Sequence, residues 1–369
     1  MLGENMFSFR NKSLLFAFIV FYVFSNSVSA QTPTPTPPED TPEVIYTEEV
    51  KVNISALDLN GNFANSLKKE DLVINEDGRL HQANIIQHIP AKVLILLDTG
   101  GESRIAKDFK TTRNTAKSLI NLLQKDDQIA LMQYHDKIEL ISDWTSDKAQ
   151  LYEILDKKMN FGKRSRFTDG IKEATDFLEK VQTENRHLVL ISDGLDSLNN
   201  PELRNSAIRN LTATNINVHV LSYTVLEQQV VEQRKKSISG GGRKAIELPP
   251  GADMPNKPVT VPLMTINTDR AMVRKNKERG EDLKRSEREL TQLTEDTNGI
   301  MYLPETKEEM AEKTEGLAKN IDSQYVVTYT PKRPLNESTD GEVRVIEVTS
   351  KRNDVIIQAK RKLLVVKKK

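Results

Sequence analysis

The run VLILLD, residues 93–98, is apolar at five consecutive positions and ends in a carboxylate. A half-exposed strand alternates apolar with polar side chains. A strand apolar throughout has both faces covered, as at the centre of a parallel sheet packed between helices. Thr99-Gly100-Gly101 then turns the chain into a segment of helical spacing at about 103–123, where Ile105, Phe109, Thr112, Ala116, Leu119, Ile120 and Leu123 share one face. The same alternation continues. QIALMQY, KIELIS, HLVLISD, INVHVLSYT and GIMYLP read as strands. Helices are expected at 147–159, at 170–182, after Asn200-Pro201, at about 270–296, and from the capping pair Thr306 and Glu309 to about Ile321. This order predicts a doubly wound, mostly parallel α/β sheet over 91–323.

The flanks have a different texture. VKVNISALDL, LVIN and QANIIQHI, within 45–90, are short strands punctuated by Asn60-Gly61 and Asp77-Gly78. Residues 324–369 hold the alternating runs QYVVTYT, EVRVIEVTS and VIIQAKRKLLVV, and then a basic tail. Neither flank has enough strands to cover a sandwich core alone. The two are therefore expected to form one antiparallel β-sandwich, with the α/β unit inserted and the chain near Ala91 and Ser323 brought together. Residues 225–268, rich in glycine, proline and charge, are expected to form a mobile insertion. Their Gly240-Gly241-Gly242 lacks the preceding strand and following Lys-Ser/Thr of a phosphate loop.

At the amino end, Arg10 and Lys12 precede the apolar run Leu14 to Phe24, and Val28-Ser29-Ala30 follows. That is the layout of a secretory signal over 1–30, cut after Ala30. Its apolar core is shorter than the roughly 20 residues that span a bilayer, so no integral span is expected after cleavage. A Pro/Thr-rich linker at 31–44 would follow as an extended tether. The expected location is secreted or periplasmic. With no cysteine, the 369-residue chain has neither disulfides nor thiol chemistry, and packing alone must hold it. Its 53 basic and 53 acidic residues balance, which argues against nucleic acid as the main partner.

In a doubly wound sheet the ligand site lies outside the carboxyl ends of the strands. Three such ends carry suggestive chemistry: Asp98, the loop holding Thr168, and Asp193. Two aspartates and a hydroxyl make a partial shell for a hard ion such as Mg²⁺, which takes about six oxygen ligands.

VLILLDTGGES, RFTDGI and LVLISDGLDS, in this order, resemble the three loops of a von Willebrand factor A domain. The flanks DLNGNFANSLKKEDLVINEDGRLHQ and TNGIMYLPETKEEM…IDSQYVVTYTP…DGEVRVIEV resemble the exported bacterial proteins called VWFA-related, common in Acidobacteria. The resemblance covers roughly 48–366. It implies a binding module rather than an enzyme, and a metal-ion-dependent adhesion site whose first loop reads Asp-x-Ser-x-Ser. Asp98, Thr168 and Asp193 match that site. Gly100 and Glu102 stand where its two serines belong, and Ser103 is one place late.

Glu102 would bring a third carboxylate to Asp98 and Asp193, and three anions near one point need relief. A cation could supply it, with Glu102 as a further ligand, or a side chain could turn away. Salt bridges from Arg164 or Arg166 are the third solution. If an ion is held, returning serine to positions 100 and 102 is expected to favour an acidic partner. Asp196 reads as a turn residue or as a partner holding a ligand in place, rather than as a ligand itself. The five histidines, His81, His88, His135, His187 and His219, offer no triad partner or His-x-x-x-His pair, and no Gly-x-Ser-x-Gly elbow occurs. The expected function is noncatalytic binding of a protein partner at the cell envelope through a degenerate ion site. The alternatives are a structural envelope component and, behind it, an uncharacterised hydrolase.

Overall fold

The computed structural model describes residues 48–101, 106–239 and 265–365. The leader at 1–30, the linker at 31–44, Glu102, Ser103, the glycine run at 240–242 and the terminal lysines fall outside these residues. In chain order the strands are β1 (Val50–Asp58), β2 (Leu72–Glu76), β3 (Arg79–His81), β4 (Ile85–Gln87), β5 (Lys92–Asp98), β6 (Gln128–Tyr134) and β7 (Ile138–Thr145). Then come β8 (Arg186–Ser192), β9 (Ile216–Ser222), β10 (Met301–Tyr302), β11 (Gln324–Tyr329), β12 (Val343–Ser350), β13 (Val355–Gln358) and β14 (Lys360–Leu364). The helices are α1 (Phe109–Leu122), α2 (Lys148–Lys157), α3 (Phe167–Glu179), α4 (Pro201–Thr212), α5 (Thr224–Ser239), α6 (Thr265–Asp296), α7 (Lys307–Glu312) and α8 (Thr314–Asp322).

The apolar run of β5 feeds two cores. Val93, Ile95 and Leu97 pack with Ala116, Leu119 and Ile120 of α1 and with Leu317 of α8. Leu94 and Leu96 point the other way, onto Phe167, Ile171 and Leu178 of α3 and Leu211 of α4. Alternate side chains of one strand thus serve opposite helical layers. The six strands run in the order β10-β9-β8-β5-β6-β7. All neighbours are parallel except β7, which closes its edge antiparallel to β6. The mixed sheet between helices is the expected α/β class.

Two more sheets of four strands each, β13-β1-β11-β4 and β14-β12-β2-β3, are antiparallel. β1 runs between β11 and β13, and β2 between β12 and β3, so each sheet mixes strands from both ends of the chain. Their inner faces share one core: Val52 and Ile54 of β1 pack with Ile74 of β2 and with Ile346 and Val348 of β12. Arg344 is buried there, held by Glu76 at 2.7 Å and by the Arg333 and Pro334 carbonyls. The α/β unit leaves and returns at one corner. His88 hydrogen-bonds the Asp322 carbonyl at 3.1 Å, and the Ala56 N–H donates to the Ser323 carbonyl at 3.0 Å. All of this lies in one compact unit, Thr47–Lys369.

Two expectations about elements need correction. The helix expected from 103 starts at Phe109, because Asp108 is its N-cap and accepts the Thr111 N–H at 2.7 Å. Its side chain satisfies an otherwise orphaned donor of the first turn, so Ala106 and Lys107 stay outside the helix. The segment from 225 is not a loose insertion at its start. α5 runs to Ser239 and buries Leu226 and Val231, while α6 extends for 32 residues where about 27 were read.

Candidate functional site

β5 and β8 are adjacent and parallel, with Leu97 opposite Ile191. From β5 the chain winds outward to β6, whereas β8 lies on the other side, so the order reverses between these two strands. That crevice is where a doubly wound sheet binds ligands. Asp98 ends β5, and Asp193 follows β8. Both are fully buried.

Between them sits a group the sequence reading did not single out. The ammonium of Lys107, a residue only 2% exposed, is 3.1 Å from Asp98 Oδ2 and 2.8 Å from Asp193 Oδ2. Glu227 Oε1, brought by α5, lies 4.0 Å away, and the other oxygen of Glu227 is paired with Arg279 of α6. The misplaced start of α1 hid Lys107. With Asp108 as cap, residues 106–108 cross the strand ends instead of continuing a helix.

Each charge in this cluster is set by its neighbours. Burial raises the Asp98 carboxyl to about 6, with Lys107 pulling it down and Asp193 pushing it up. Asp193 is also penalised by burial, but Lys107 outweighs this and holds it below the usual range. Burial works against a charged Lys107, yet Asp193, Asp98 and Glu227 together raise it above an ordinary lysine. Glu227 is pushed up to about 8, by burial first and Asp193 second, so it holds its proton at pH 7. Two cations, Lys107 and Arg279, then stand against two anions, and the cluster is neutral.

Asp98 is saturated with donors. The Gly100 N–H reaches its Oδ1 at 3.2 Å, the Ser165 hydroxyl reaches the same oxygen at 3.3 Å, and the Ser192 hydroxyl donates to Oδ2 at 3.0 Å. Thr168 is placed differently from expectation. It lies in the first turn of α3 on the wall of the cleft, and its backbone N–H donates to Asp196 Oδ2 at 2.8 Å. Among the described residues its hydroxyl bonds neither aspartate, and Ser165, three residues earlier, takes that part. Asp196 is a turn residue, its other oxygen accepting the Leu198 N–H at 2.8 Å.

Neither arginine proposed as a prop performs that role. Arg166 pairs with Asp169 at 2.7 Å, and Arg164 is exposed on the loop, with its N–H on Asp136. Of the sequence-derived set, Asp98 and Asp193 come together, Thr168 stands aside, and Glu102 lies outside the described residues.

A divalent ion does not fit between Asp98 and Asp193 as the side chains stand, because the Lys107 ammonium fills that position and would repel it. Among the described residues, no group of three or more histidines or carboxylates is arranged to hold a metal. Nor can serine simply be returned to position 100. A Cβ on Gly100 would lie 1.9 Å from the Arg164 carbonyl oxygen, which is backbone and cannot swing away.

Above this floor opens a cleft of 720 Å³. Lys163 and Arg164 stand on one side, and the start of α4 with Asn200 and Arg204 on the other. Arg204 is committed to Glu289 at 2.8 Å and to the Gly194 carbonyl.

Residues 93–195 match the family model described as von Willebrand factor type A domain. No curated protein matches. Similar solved structures include a von Willebrand factor type A protein from Catenulispora acidiphila, 10% identical, covering 87% of this chain and 74% of that one at a TM-score of 0.42. Another holds three N-terminal domains of the type V pili tip protein Mfa5 from Porphyromonas gingivalis, 17% identical, with 40% and 26% covered and a TM-score of 0.27. Manganese-loaded TRAP protein from Plasmodium vivax is 12% identical, with 79% and 98% covered and a TM-score of 0.37. This chain thus spans about a quarter of the Mfa5 chain. The matched residues lie within the α/β unit and contain both Asp98 and Asp193.

Proposed function

We propose that the protein is a noncatalytic binding module of the cell envelope, presenting the carboxyl-end face of its von Willebrand factor type A domain to a protein partner without a divalent ion. One observation carries this reading. The charges on the cleft floor are closed on one another, with Lys107 between Asp98 and Asp193 and Arg279 on Glu227. A floor of that kind has no need of an ion from solution. What faces outward is the exposed loop of Lys163 and Arg164, opposite the start of α4.

The chemistry of the floor supports binding over catalysis. Ser192 donates to Asp98 and meets the Tyr134 hydroxyl at 2.6 Å, while Ser165 bonds Asp98 and the Leu195 carbonyl. Among the described residues, no histidine bonds either serine. Both hydroxyls are spent on Asp98, whose carboxylate is already engaged by Lys107 and the Gly100 N–H and is therefore a poor base for activating them. The envelope location rests on the basic, apolar and small-residue order of 1–30 and on the tether that follows it. Among the described residues, no helix is long and apolar enough to cross a membrane.

The test uses the mature chain from Gln31, immobilised and exposed to envelope extract in Mg²⁺ or in chelator. The same partner should be captured in both, and Lys163→Glu with Arg164→Glu should abolish capture. Capture that needs Mg²⁺ would remove the ion-independent reading; no capture in either condition would leave the domain as a spacer.

A further inference from the structure

We propose that Lys107 is a tethered cation, built into the chain at the position a divalent ion would take between Asp98 and Asp193, and that removing its ammonium opens an ion site there. The inference concerns the face described above, but its test needs no partner, so the two can fail separately.

Three observations converge on it. The first is position. One ammonium is shared by carboxylates from three separate elements, the ends of β5 and β8 and the first turns of α5. These elements meet at the reversal of strand order, where the fold gathers ligands. An incidental salt bridge joins two side chains; here three carboxyls converge on one centre.

The second is charge. Lys107 and Arg279 together bring two positive charges to Asp98, Asp193 and Glu227. That is the charge of one divalent ion, divided between two side chains. Without Lys107, Asp98 and Asp193 would be left side by side as buried carboxylates, which cannot both stay ionised without a compensating cation.

The third is the donor set left behind. Asp193 Oδ2 and Glu227 Oε1 are buried and turned to the Lys107 ammonium, at 2.8 and 4.0 Å, and Asp98 Oδ2 faces the same point at 3.1 Å. Two hydroxyls, of Ser165 and Ser192, adjoin Asp98. Hard oxygens of this kind suit Mg²⁺ or Mn²⁺.

The tether is fixed at both ends. Ala106 is buried, and Asp108 caps α1 while pairing with Lys307 of α7. The ammonium is therefore delivered by the fold and needs no supply from solution.

The experiment follows melting temperature and Mn²⁺ binding by electron paramagnetic resonance in the full mature chain. Wild type should show no melting shift between chelator and saturating Mg²⁺ or Mn²⁺. Lys107→Ser should gain several degrees and one bound Mn²⁺ per chain, and Asp98→Asn in that background should abolish both. Lys107→Arg, which keeps the charge, should stay silent. Wild-type Mn²⁺ binding that Asp98→Asn removes would overturn the proposal, as would a folded Lys107→Ser chain indifferent to ions.

If the serine variant does not fold, wild type itself decides. Reductive methylation should spare Lys107 equally in Mg²⁺ and in chelator. Labelling of Lys107 that appears only with Mg²⁺ would show an ion displacing it, and would overturn the proposal.

Discussion

Gly100 shows how a single residue closes off an evolutionary return. Its backbone passes so close to the Arg164 carbonyl that no side chain fits, and the same loop carries Ser165 to Asp98. Gly100→Ala or Gly100→Ser should therefore destabilise the protein by about 1–3 kcal/mol, the usual cost of overpacking a tight contact. Chemical denaturation measures it directly, and a neutral substitution would mean that the 163–165 loop yields. The glycine was visible in the sequence as a missing hydroxyl. That it is also a packing requirement was not, because the atom it avoids lies on a distant loop. Lys107 was hidden for a related reason. Its meaning depends on where α1 begins, and the apolar spacing from Ile105 onward drew the start of the helix ahead of the Asp108 cap.

At the scale of elements, β8 and β9 carry a buried pair whose hydrogen bonds define its protons. The Ile300 N–H donates to His219 Nδ1 at 3.2 Å, so the proton of His219 is on Nε2, 3.0 Å from His187 Nδ1. The proton of His187 is then on Nε2, donated to Asn185 Oδ1 at 2.8 Å. Every ring nitrogen is used, and an added proton must break a bond. Burial lowers His187 well below its ordinary value, with His219 adding to the effect, and burial alone lowers His219 to about 3. Both stay neutral in the fold while the unfolded chain takes up protons below about pH 6.5. Their stabilisation is complete above that pH and is lost as pH falls toward the folded values, at ~1.4 kcal/mol per pH unit for each histidine. Replacing both with glutamine should lower stability at pH 7.5 and narrow the gap to wild type on acidification. Parallel pH profiles would sink this account. The strands themselves were legible, since HLVLIS and INVHVLS are apolar enough to demand burial. The pairing of their histidines required knowing that β8 and β9 are neighbours in register, His187 opposite Asn217 and Val189 opposite His219.

Across the whole molecule, the sandwich strands come from sequence segments that are complete only together. We propose that 48–90 and 324–365 are one folding unit. Ending the chain after Asp322 would take both neighbours from β1 and β12 from β2, leaving little beyond the β2–β3 hairpin, which is marginal alone. Hydrogen exchange should then show 50–87 unprotected while β5, β8 and β9 keep their protection; retained protection in β1 would refute a shared sandwich. The turn signals at Asn60-Gly61 and Asp77-Gly78 made the hairpins readable, whereas the crossing of chain ends carries no local signal. The corner formed by His88, Asp322, Ala56 and Ser323 has a mechanical consequence. Tension arriving from either side of the described chain enters through β1 or β14 and is borne by the sandwich sheets. The α/β unit touches those same two strands, through Glu184 on Lys51 of β1 at 2.6 Å and through Asp296 on Lys362 of β14 at 2.7 Å, so a pull that shifts the sandwich strands is felt directly at its base.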